Sequence, residues 1–265
     1  MAEGRGQGEG CDYEAWLQIR RGELIGLRGR QHLGHGIKYD RDYHLLSDLE
    51  YWVWLLLEWS RLVLDVREQF PLFPRQRCID LAATMGIKHP RYVGTKTLWV
   101  LTTDFLTTLA GVPPQLLAIS CKYASELATA DGRMFELLEL ERRFWESFGI
   151  PWILVTDYDV PNTVAKNLEW LYEGIFLPGK LQHALSPFSA QLKALAPDKM
   201  TLRDYAIAAG RGLDITADES VSILCRLIWN HEAIVDMNQR LGPDAFITLT
   251  FEENAFDVNA QGVAI

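Results

Sequence analysis

Two strand-like runs separated by a proline turn constrain the fold of this chain more than any other feature. Leu98–Leu106 is rich in β-branched and aromatic residues, Leu116–Lys122 is largely apolar, and Pro113-Pro114 marks a turn before the second run. Asp104 lies in the first run, and Lys122 ends the second. The pattern predicts two strands of one sheet, and we hypothesise that the two charges meet at one edge of it.

Helices and further strands surround this pair. Apolar residues at helical spacing predict helices over Leu45–Glu58, Met134–Phe148 and Asn162–Tyr172. Short apolar runs predict strands over Leu62–Val66, which ends before Pro71, and over Cys78–Ala83 and Trp152–Thr156. Elements in this order predict an α/β fold in which a mixed sheet is flanked by helices.

The last third of the chain follows a different pattern after Pro178-Gly179. It predicts three helices and then two strand-like runs, over Leu181–Leu195, Thr201–Ala209, Thr216–His231, Ala233–Met237 and Ala245–Phe251. Three helices followed by a hairpin are typical of a small winged-helix domain, which is mostly α. We therefore predict an N-terminal arm and basic loop region over residues 1–44, an α/β domain over 45–174 and a winged-helix domain over 180–265.

The region before the first helix has two parts. Residues 1–12 are rich in glycine and predict a flexible arm. Positive charge then dominates between Arg20 and His44, where interspersed glycines indicate a loop or a short hairpin. Two interpretations of this basic stretch stay open: a solvated, irregular surface, or an arm that contacts phosphates.

The overall charge narrows the class of partner. A net charge of −9 and a pI of about 5.2 argue against a protein that coats DNA non-specifically, because such binding needs many Lys and Arg side chains.

The four cysteines are scattered without a Cys-x-x-Cys pair, so neither a zinc site nor a disulfide framework is expected. The longest apolar stretch, Tyr51–Leu57, is too short to cross a bilayer, and we expect a cytoplasmic protein without a membrane contact.

Glu50, Asp104 and Lys122 form the candidate catalytic set. Two carboxylates can hold a divalent cation, and a lysine beside them can orient a water or neutralise charge on phosphorus, which suits metal-dependent phosphodiester cleavage. Nucleases commonly pair an Asp with a later acid-x-Lys, whose flanking residues share one face of a strand. Here the motif reads Ser120-Cys121-Lys122, so the Ser120 hydroxyl or the Cys121 carbonyl would supply a neutral oxygen to Mg²⁺. Judged by spacing alone, a chance arrangement remains the stronger interpretation.

Glu50 has two interpretations of its own, and both stay open. Ser47-Asp48-Leu49-Glu50 matches the S-x-x-E capping box, in which the glutamate closes the first turn of a helix. The residue also borders apolar surface, where a carboxylate costs free energy unless a cation or a donor compensates it. Glu58 and Glu141 are secondary candidates for contacts to a metal ion or a water.

Several longer strings are too specific to follow from fold alone. They are Arg5-Gly6-Gln7-Gly8, His44–Glu50, Leu57-Glu58-Trp59, Leu64–Pro71, Gly86–Pro90, Thr103-Asp104-Phe105, Leu138–Trp145 and Asn167–Tyr172. Together they resemble the TnsA family, the endonuclease subunits of heteromeric transposases in bacterial cut-and-paste transposons, including those that work with CRISPR targeting complexes. The resemblance runs from about Arg5 to Tyr172, and beyond that it rests mainly on the helical outline.

The resemblance implies a fold and a site. Residues 45–174 would form a catalytic domain with the fold of type II restriction endonucleases. Glu50, Asp104 and Lys122 match the family's active-site carboxylates and lysine, so that Glu50, Asp104 and the Cys121 carbonyl would hold Mg²⁺, with Mn²⁺ as a substitute. Ser120 falls where the family's best-known member has Gln, and a residue without an acidic group is therefore expected there.

The resemblance also implies a function and a set of partners. The protein would cleave the 5′ strands of double-stranded DNA at transposon ends, while a TnsB-like partner transposase cuts and joins the 3′ ends. The C-terminal domain would engage a TnsC-like AAA+ ATPase, with a CRISPR or other DNA-binding complex for targeting, and the assembly would be associated with the nucleoid. Two alternatives stay open: a stand-alone restriction-type endonuclease and a non-catalytic winged-helix adaptor.

Overall fold

The chain divides into two compact units, Met1–Pro161 and Asn162–Ile265. A computed structural model describes residues 4–19, 30–195 and 199–251 of these units. The first unit contains the predicted sheet and every candidate site residue, and the second is mostly helical. Among the described residues, no helix is both long and apolar enough to span a bilayer.

A four-stranded mixed sheet forms the centre of the first unit. Its strands, in spatial order, are β3 (Val63–Pro71), β4 (Thr102–Leu109), β5 (Gln115–Cys121) and β6 (Trp152–Val155). The pairs β3–β4 and β4–β5 are antiparallel, whereas β5–β6 is parallel. A parallel pair needs a crossover connection, and two helices between β5 and β6 supply it.

Four helices accompany the sheet: α1 (Asp48–Trp59), α2 (Arg75–Thr84), α3 (Ala124–Thr129) and α4 (Gly132–Glu146). One core cluster joins α2 and α4 to the sheet through buried Leu72, Cys78, Ala82, Leu106, Ala118, Leu140, Phe144 and Trp145. Alternation along the strands sends Phe105 and Ile119 to the opposite face, where both are fully buried. The predicted mixed sheet flanked by helices is confirmed.

The register of the sheet brings the candidate residues to one edge. Phe105 of β4 is paired with Ile119 of β5, and the two strands run in opposite directions. The start of β4, with Asp104, therefore lies beside the end of β5, with Ser120 and Cys121. Strand pairing thus explains how residues about one hairpin apart come together.

Two of the predicted strands have different structures. Cys78–Ala83 lies within helix α2, because the buried residues Cys78 and Ala82 are four apart and share one helical face. The strand predicted to end at Val66 continues to Pro71, which is paired with Thr102. Proline is tolerated there because β3 is an edge strand, where a missing N–H leaves no ladder partner unsatisfied.

The described residues before α1 form a hairpin and an N-terminal segment that contacts β3. Strands β1 (His32–His35) and β2 (Asp42–Leu45) are antiparallel, which agrees with the hairpin alternative for the basic stretch. Residues 20–29 of that stretch lie outside the described residues. The predicted flexible arm is wrong for residues 4–12: Gly10 N–H donates to Asp65 Oδ2, and the neighbouring Tyr13 hydroxyl donates to the Glu68 carbonyl. Leu45 belongs to β2, and helix α1 begins only after Ser47, its N-cap.

In its described residues, the second unit contains four α-helices and two short strands. They are α5 (Asn162–Gly174), α6 (Gln182–Ala194), β7 (Met200–Thr201), α7 (Leu202–Ala209), α8 (Ala217–Trp229) and β8 (Phe246–Ile247). The predicted hairpin between Ala233–Met237 and Ala245–Phe251 is reduced to an isolated bridge of Ile234 with Thr250, because β8 is paired with β7 instead.

Helix α5 belongs to the second unit, so the division falls one helix earlier than the boundary expected between residues 174 and 180. The Asn167 side chain explains this assignment. Its amide donates to the carbonyls of Met237 and Gln239 at 2.9 and 2.8 Å, and its Oδ1 accepts from Leu241 N–H at 2.8 Å. Asn167 is fully buried, so these bonds attach α5 to the segment after α8.

Candidate active site

Asp104 and Lys122 form an ion pair at the edge where β4 begins and β5 ends. Lys122 Nζ lies 3.6 Å from Asp104 Oδ2 and donates to the Cys121 carbonyl at 2.8 Å. Asp104 Oδ2 also accepts from the Cys121 N–H at 2.6 Å, while its Oδ1 accepts no hydrogen bond from a described residue. The nearby Asp104 charge raises the pKa of Lys122 above its usual value, so the ammonium stays protonated at neutral pH.

Glu50 reaches the same place from the first turn of helix α1. Its carboxylate accepts from Leu46 N–H at 2.9 Å and from the Ser47 hydroxyl at 3.1 Å, so it does close the helix start. Burial and then the Asp104 charge raise its pKa to about 8, and the Lys122 charge lowers it. Capping and membership of the site are therefore compatible in this structure, because the capped end of α1 faces Asp104 and Lys122.

Tyr123 connects this helix start to strand β5. The residue follows Lys122 directly, and its hydroxyl accepts a hydrogen bond from Leu49 N–H, next to Glu50, at 3.1 Å. The first N–H groups of a helix have no partner within the helix, and the phenol satisfies one of them here. The contact ties the glutamate and the lysine together through one side chain.

A buried acid, Glu141, lies behind the edge residues. Its Oε1 accepts from the hydroxyls of Thr103 and Ser120 and from Trp152 Nε1, the last at 3.1 Å. Burial and then the Asp104 charge raise its pKa to about 7. The Ser120 hydroxyl is therefore directed at Glu141, and the network links β4, β5, β6 and α4 behind Asp104.

Gln69 supports Glu50 from strand β3. Its Nε2 donates to Glu50 Oε2 at 3.0 Å, and the side chain is almost fully buried. Its backbone has φ of 48°, a left-handed conformation that costs a non-glycine residue of order 1–3 kcal/mol. Sequence reasoning missed this residue as part of the site, although it lies within the Leu64–Pro71 string.

The oxygen atoms at this edge fit a hard cation that keeps part of its water. The Glu50 and Asp104 carboxylates are both negative and repel each other. The Lys122 ammonium donates to the Cys121 carbonyl and also pairs with Asp104. Within residues 4–19, 30–195 and 199–251, no three His, Cys, Asp or Glu side chains are grouped closely enough to form a complete metal site. Mg²⁺ is commonly bound by one or two carboxylates and several waters, so this donor set suits it.

The two secondary candidates have different positions. Glu141 is close enough to Asp104 for their charges to interact. Glu58 is at the other end of α1, where its Oε2 accepts from the N–H groups of Ile37 and Lys38, both at 3.0 Å. Glu58 therefore holds the turn of the β1–β2 hairpin and is not brought to the site.

Comparison with known proteins decides the family. A model of the TnsA-like endonuclease N-terminal region matches residues 60–157, and a model of the TnsA endonuclease C-terminal region matches residues 159–237. Transposon Tn7 transposition protein TnsA of Escherichia coli is 44% identical over 199 residues, which are 74% of this chain and 67% of that protein. The chain belongs to the TnsA endonuclease family. The resemblance inferred from the sequence strings is confirmed.

The two TnsA matches divide the chain close to its structural division after Pro161. Asp104, Ser120 and Lys122 lie inside the N-terminal TnsA match, whereas Glu50 precedes it. The place of Glu50 in this TnsA site therefore depends on the geometry around Asp104 and Lys122.

Proposed function

We propose that this TnsA-family endonuclease is a Mg²⁺-dependent enzyme that cleaves the 5′ strands of duplex DNA at transposon ends. The observation that carries the proposal is the meeting of Glu50, Asp104 and Lys122 at one sheet edge in a chain of an endonuclease family. The mixed sheet with flanking helices supports a restriction-endonuclease-like fold for this unit.

Glu50, Asp104 and the Cys121 carbonyl would hold the metal ion, for which Mn²⁺ would substitute. When bound, the ion would lower the pKa of a coordinated water and offset charge on the transferring phosphate. Asp104 Oδ1 is free of hydrogen bonds from described residues and so is available as a ligand. The second carboxylate, Glu50, is held at the edge by Gln69, Leu46 and Ser47.

Lys122 acts as a cation in this proposal. Its pKa is raised by Asp104, so at neutral pH the ammonium donates hydrogen bonds and does not accept a proton. Such a group can orient the attacking water or stabilise negative charge that develops on the phosphate oxygens. A role as general base is not part of the proposal.

The second unit supports a role in partner binding. Three helices (α6, α7 and α8), the β7–β8 pair and the Ile234–Thr250 bridge suit a winged-helix domain. Helix α8 carries Asp218 and Glu219 in its first turn, which suits a protein surface better than DNA phosphates. We therefore propose a TnsC-like AAA+ ATPase as its partner, and a TnsB-like transposase for the 3′ strands. A CRISPR or other targeting complex remains a prediction.

Asp104→Asn tests the catalytic part, because the change removes one negative charge and keeps the shape of the side chain. We expect loss of 5′-strand cleavage in a reaction with the partner transposase, Mg²⁺ and transposon-end DNA, with an unchanged circular dichroism spectrum. Asp80→Asn, on the exposed surface of α2, is the matched control and should cleave like the unchanged chain. Unchanged cleavage by Asp104→Asn would overturn the assignment. Cleavage of plain duplex by the isolated chain would favour a stand-alone endonuclease.

A further inference from the structure

A second feature near the site is a short basic hairpin, residues 90–99, between α2 and β4. Tyr92 N–H donates to the Thr97 carbonyl at 3.0 Å and Trp99 N–H donates to the Pro90 carbonyl at 2.9 Å, on either side of an Arg91–Leu98 bridge. Gly94, with φ of 73°, lies at the tip in the left-handed conformation that tight turns require. The hairpin is therefore a defined structure with a regular backbone.

The charge of this segment is opposite to that of the whole chain. Every Asp, Glu, Lys or Arg between Asp80 and Asp104 is basic, although the chain carries a net charge of −9. These residues, Lys88, Arg91 and Lys96, are exposed, and none forms an ion pair with a described residue. Several other surface cations of the first unit are paired with acids: Arg30 with Asp48, Arg133 with Glu136, and Arg142 and Arg143 with Glu139. Within the described residues, no acid neutralises these three cations, so their charge is available to a phosphate.

Aromatic stacking stiffens the hairpin. The rings of Tyr92 and Trp99 are stacked with centroids 5.0 Å apart and planes within 8° of parallel. The base is anchored by Arg75 Nη2, which donates to the Leu98 carbonyl at 2.7 Å. A stiff support lowers the entropy that the flanking cations lose on binding. The exposed tip residue, Val93, is 97% accessible and covers nothing in the protein.

The hairpin enters the sheet at the edge that carries the site. Val100 and Leu101 lead directly into β4, and the Leu101 carbonyl accepts from Leu72 N–H at 2.8 Å. Five residue steps separate Trp99 from Asp104, a distance of at most about 18 Å along an extended chain. At 3.4 Å per base pair, that reach corresponds to about five base pairs of duplex. The base of the hairpin therefore lies within about five base pairs' length of a phosphate bound at Asp104.

We propose that the 90–99 hairpin, together with Lys88, binds the phosphate backbone of the duplex that flanks the cleaved bond. Lys88, Arg91 and Lys96 neutralise phosphates, and the stacked Tyr92 and Trp99 keep them in a fixed arrangement. The proposal rests on the proposed endonuclease function and adds the surface by which this chain itself holds its substrate. Such contacts fix the position of a protein on DNA without reading its sequence.

The first experiment places a photo-crosslinking amino acid, p-benzoylphenylalanine, at Val93 or at Val112 of the full chain. The two valines are fully exposed, and they lie in the loops before and after β4, so Val112 is the matched control. Each variant is irradiated with the partner transposase and an end-labelled transposon-end duplex. We expect the Val93 variant to crosslink to DNA at least tenfold more than the Val112 variant. Equal crosslinking, or crosslinking of Val93 only to protein, would overturn the proposal.

A second experiment tests the charges. In the triple variant, Lys88, Arg91 and Lys96 are changed to Ala. It should need at least tenfold more protein than the unchanged chain for half-maximal cleavage at about 150 mM salt. The reason is that each lost phosphate contact lowers the slope of log affinity against log salt concentration by about 0.9. The control changes Lys193, Arg211 and Arg240, which are exposed in the second unit, to Ala and should stay within twofold. Equal losses in both variants would overturn the proposal. Absence of cleavage by the unchanged chain would instead refute the proposed function.

Discussion

Gln69 donates a hydrogen bond from Nε2 to Glu50 Oε2 over 3.0 Å, from a backbone held at φ of 48°. The bond crosses from strand β3 to the first turn of α1 and is buried at both ends. A backbone conformation that costs free energy is kept only where the surrounding structure determines it, and such positions are common at functional sites. The relationship makes Gln69 the positioning residue for one proposed metal ligand.

Gln69→Gly separates the effect of the left-handed backbone from the effect of the side-chain hydrogen bond. Glycine adopts positive φ without strain, which offsets part of the loss of the buried hydrogen bond, so the free energy of unfolding should fall by less than about 3 kcal/mol. The lost hydrogen bond to a carboxylate contributes about 1.5–3 kcal/mol, so we expect strand cleavage to fall about tenfold or more. Cleavage rates at several Mg²⁺ concentrations and urea unfolding curves measure the two effects. A wild-type cleavage rate would refute the positioning role.

Lys122→Met tests whether the lysine acts in cleavage without holding the metal ion. The metal ligands in our proposal are oxygen atoms, so the variant should retain Mn²⁺ binding but lose at least about 100-fold in cleavage, since positioned charge contributes about 3–4 kcal/mol to such reactions. Electron paramagnetic resonance measures bound Mn²⁺, with Asp104→Asn as the variant expected to lose it. If Lys122→Met loses Mn²⁺ to the same extent as Asp104→Asn, the proposed division of roles is wrong.

Glu141 should make the metal-free protein less stable as the pH rises. Its pKa is about 7 in the folded chain against a usual value of 4.5, so the folded state binds the additional proton between these values. The resulting stability is fully present below about pH 4.5 and is lost as the pH rises through 7, on the order of 3 kcal/mol in all. Urea unfolding at pH 5 and pH 8 in a chelator should show this loss.

Glu141→Gln is the matching control, because the amide keeps the size of the side chain but does not titrate. The fall in unfolding free energy between pH 5 and pH 8 should be smaller in this variant. The fall that remains would come from Glu50, whose pKa is raised to about 8, and from Glu58, whose pKa is also raised by burial. An identical pH dependence in both proteins would show that Glu141 is not the titrating group.

Arg41→Ala should destabilise the fold. The Arg41 guanidinium lies 2.8 Å from Glu68 Oε2, and both side chains are buried. Breaking a buried pair leaves an uncompensated charge and costs about 3–5 kcal/mol. Arg30→Ala is the control, because its pair with Asp48 is exposed and contributes at most about 1 kcal/mol. Chemical denaturation measures both, and equal stabilities would contradict the prediction. Because its guanidinium is buried against Glu68, Arg41 is not exposed to contact phosphates from the basic stretch.

The helix over Cys78–Ala83 shows the limit of local pattern reasoning. A short apolar run fits a buried strand and a buried helix equally well, and only packing against α4 and the sheet selects the helix. The left-handed backbone of Gln69 could not be predicted from a local pattern either. Nothing in a single sequence requires positive φ at a glutamine, so the tertiary contact with Glu50 decides it.

The sequence by itself determined the mixed α/β class, the two strands that carry Asp104 and Lys122, and the family, because periodicity and long shared strings are local properties of the chain. Only the tertiary structure decided that Glu50 joins them and that Glu58 does not. The physical reason is that the position of a helix end depends on distant partners, here Tyr123, which binds Leu49 N–H, and Gln69, which binds Glu50. Spacing along the chain contains no information about such contacts.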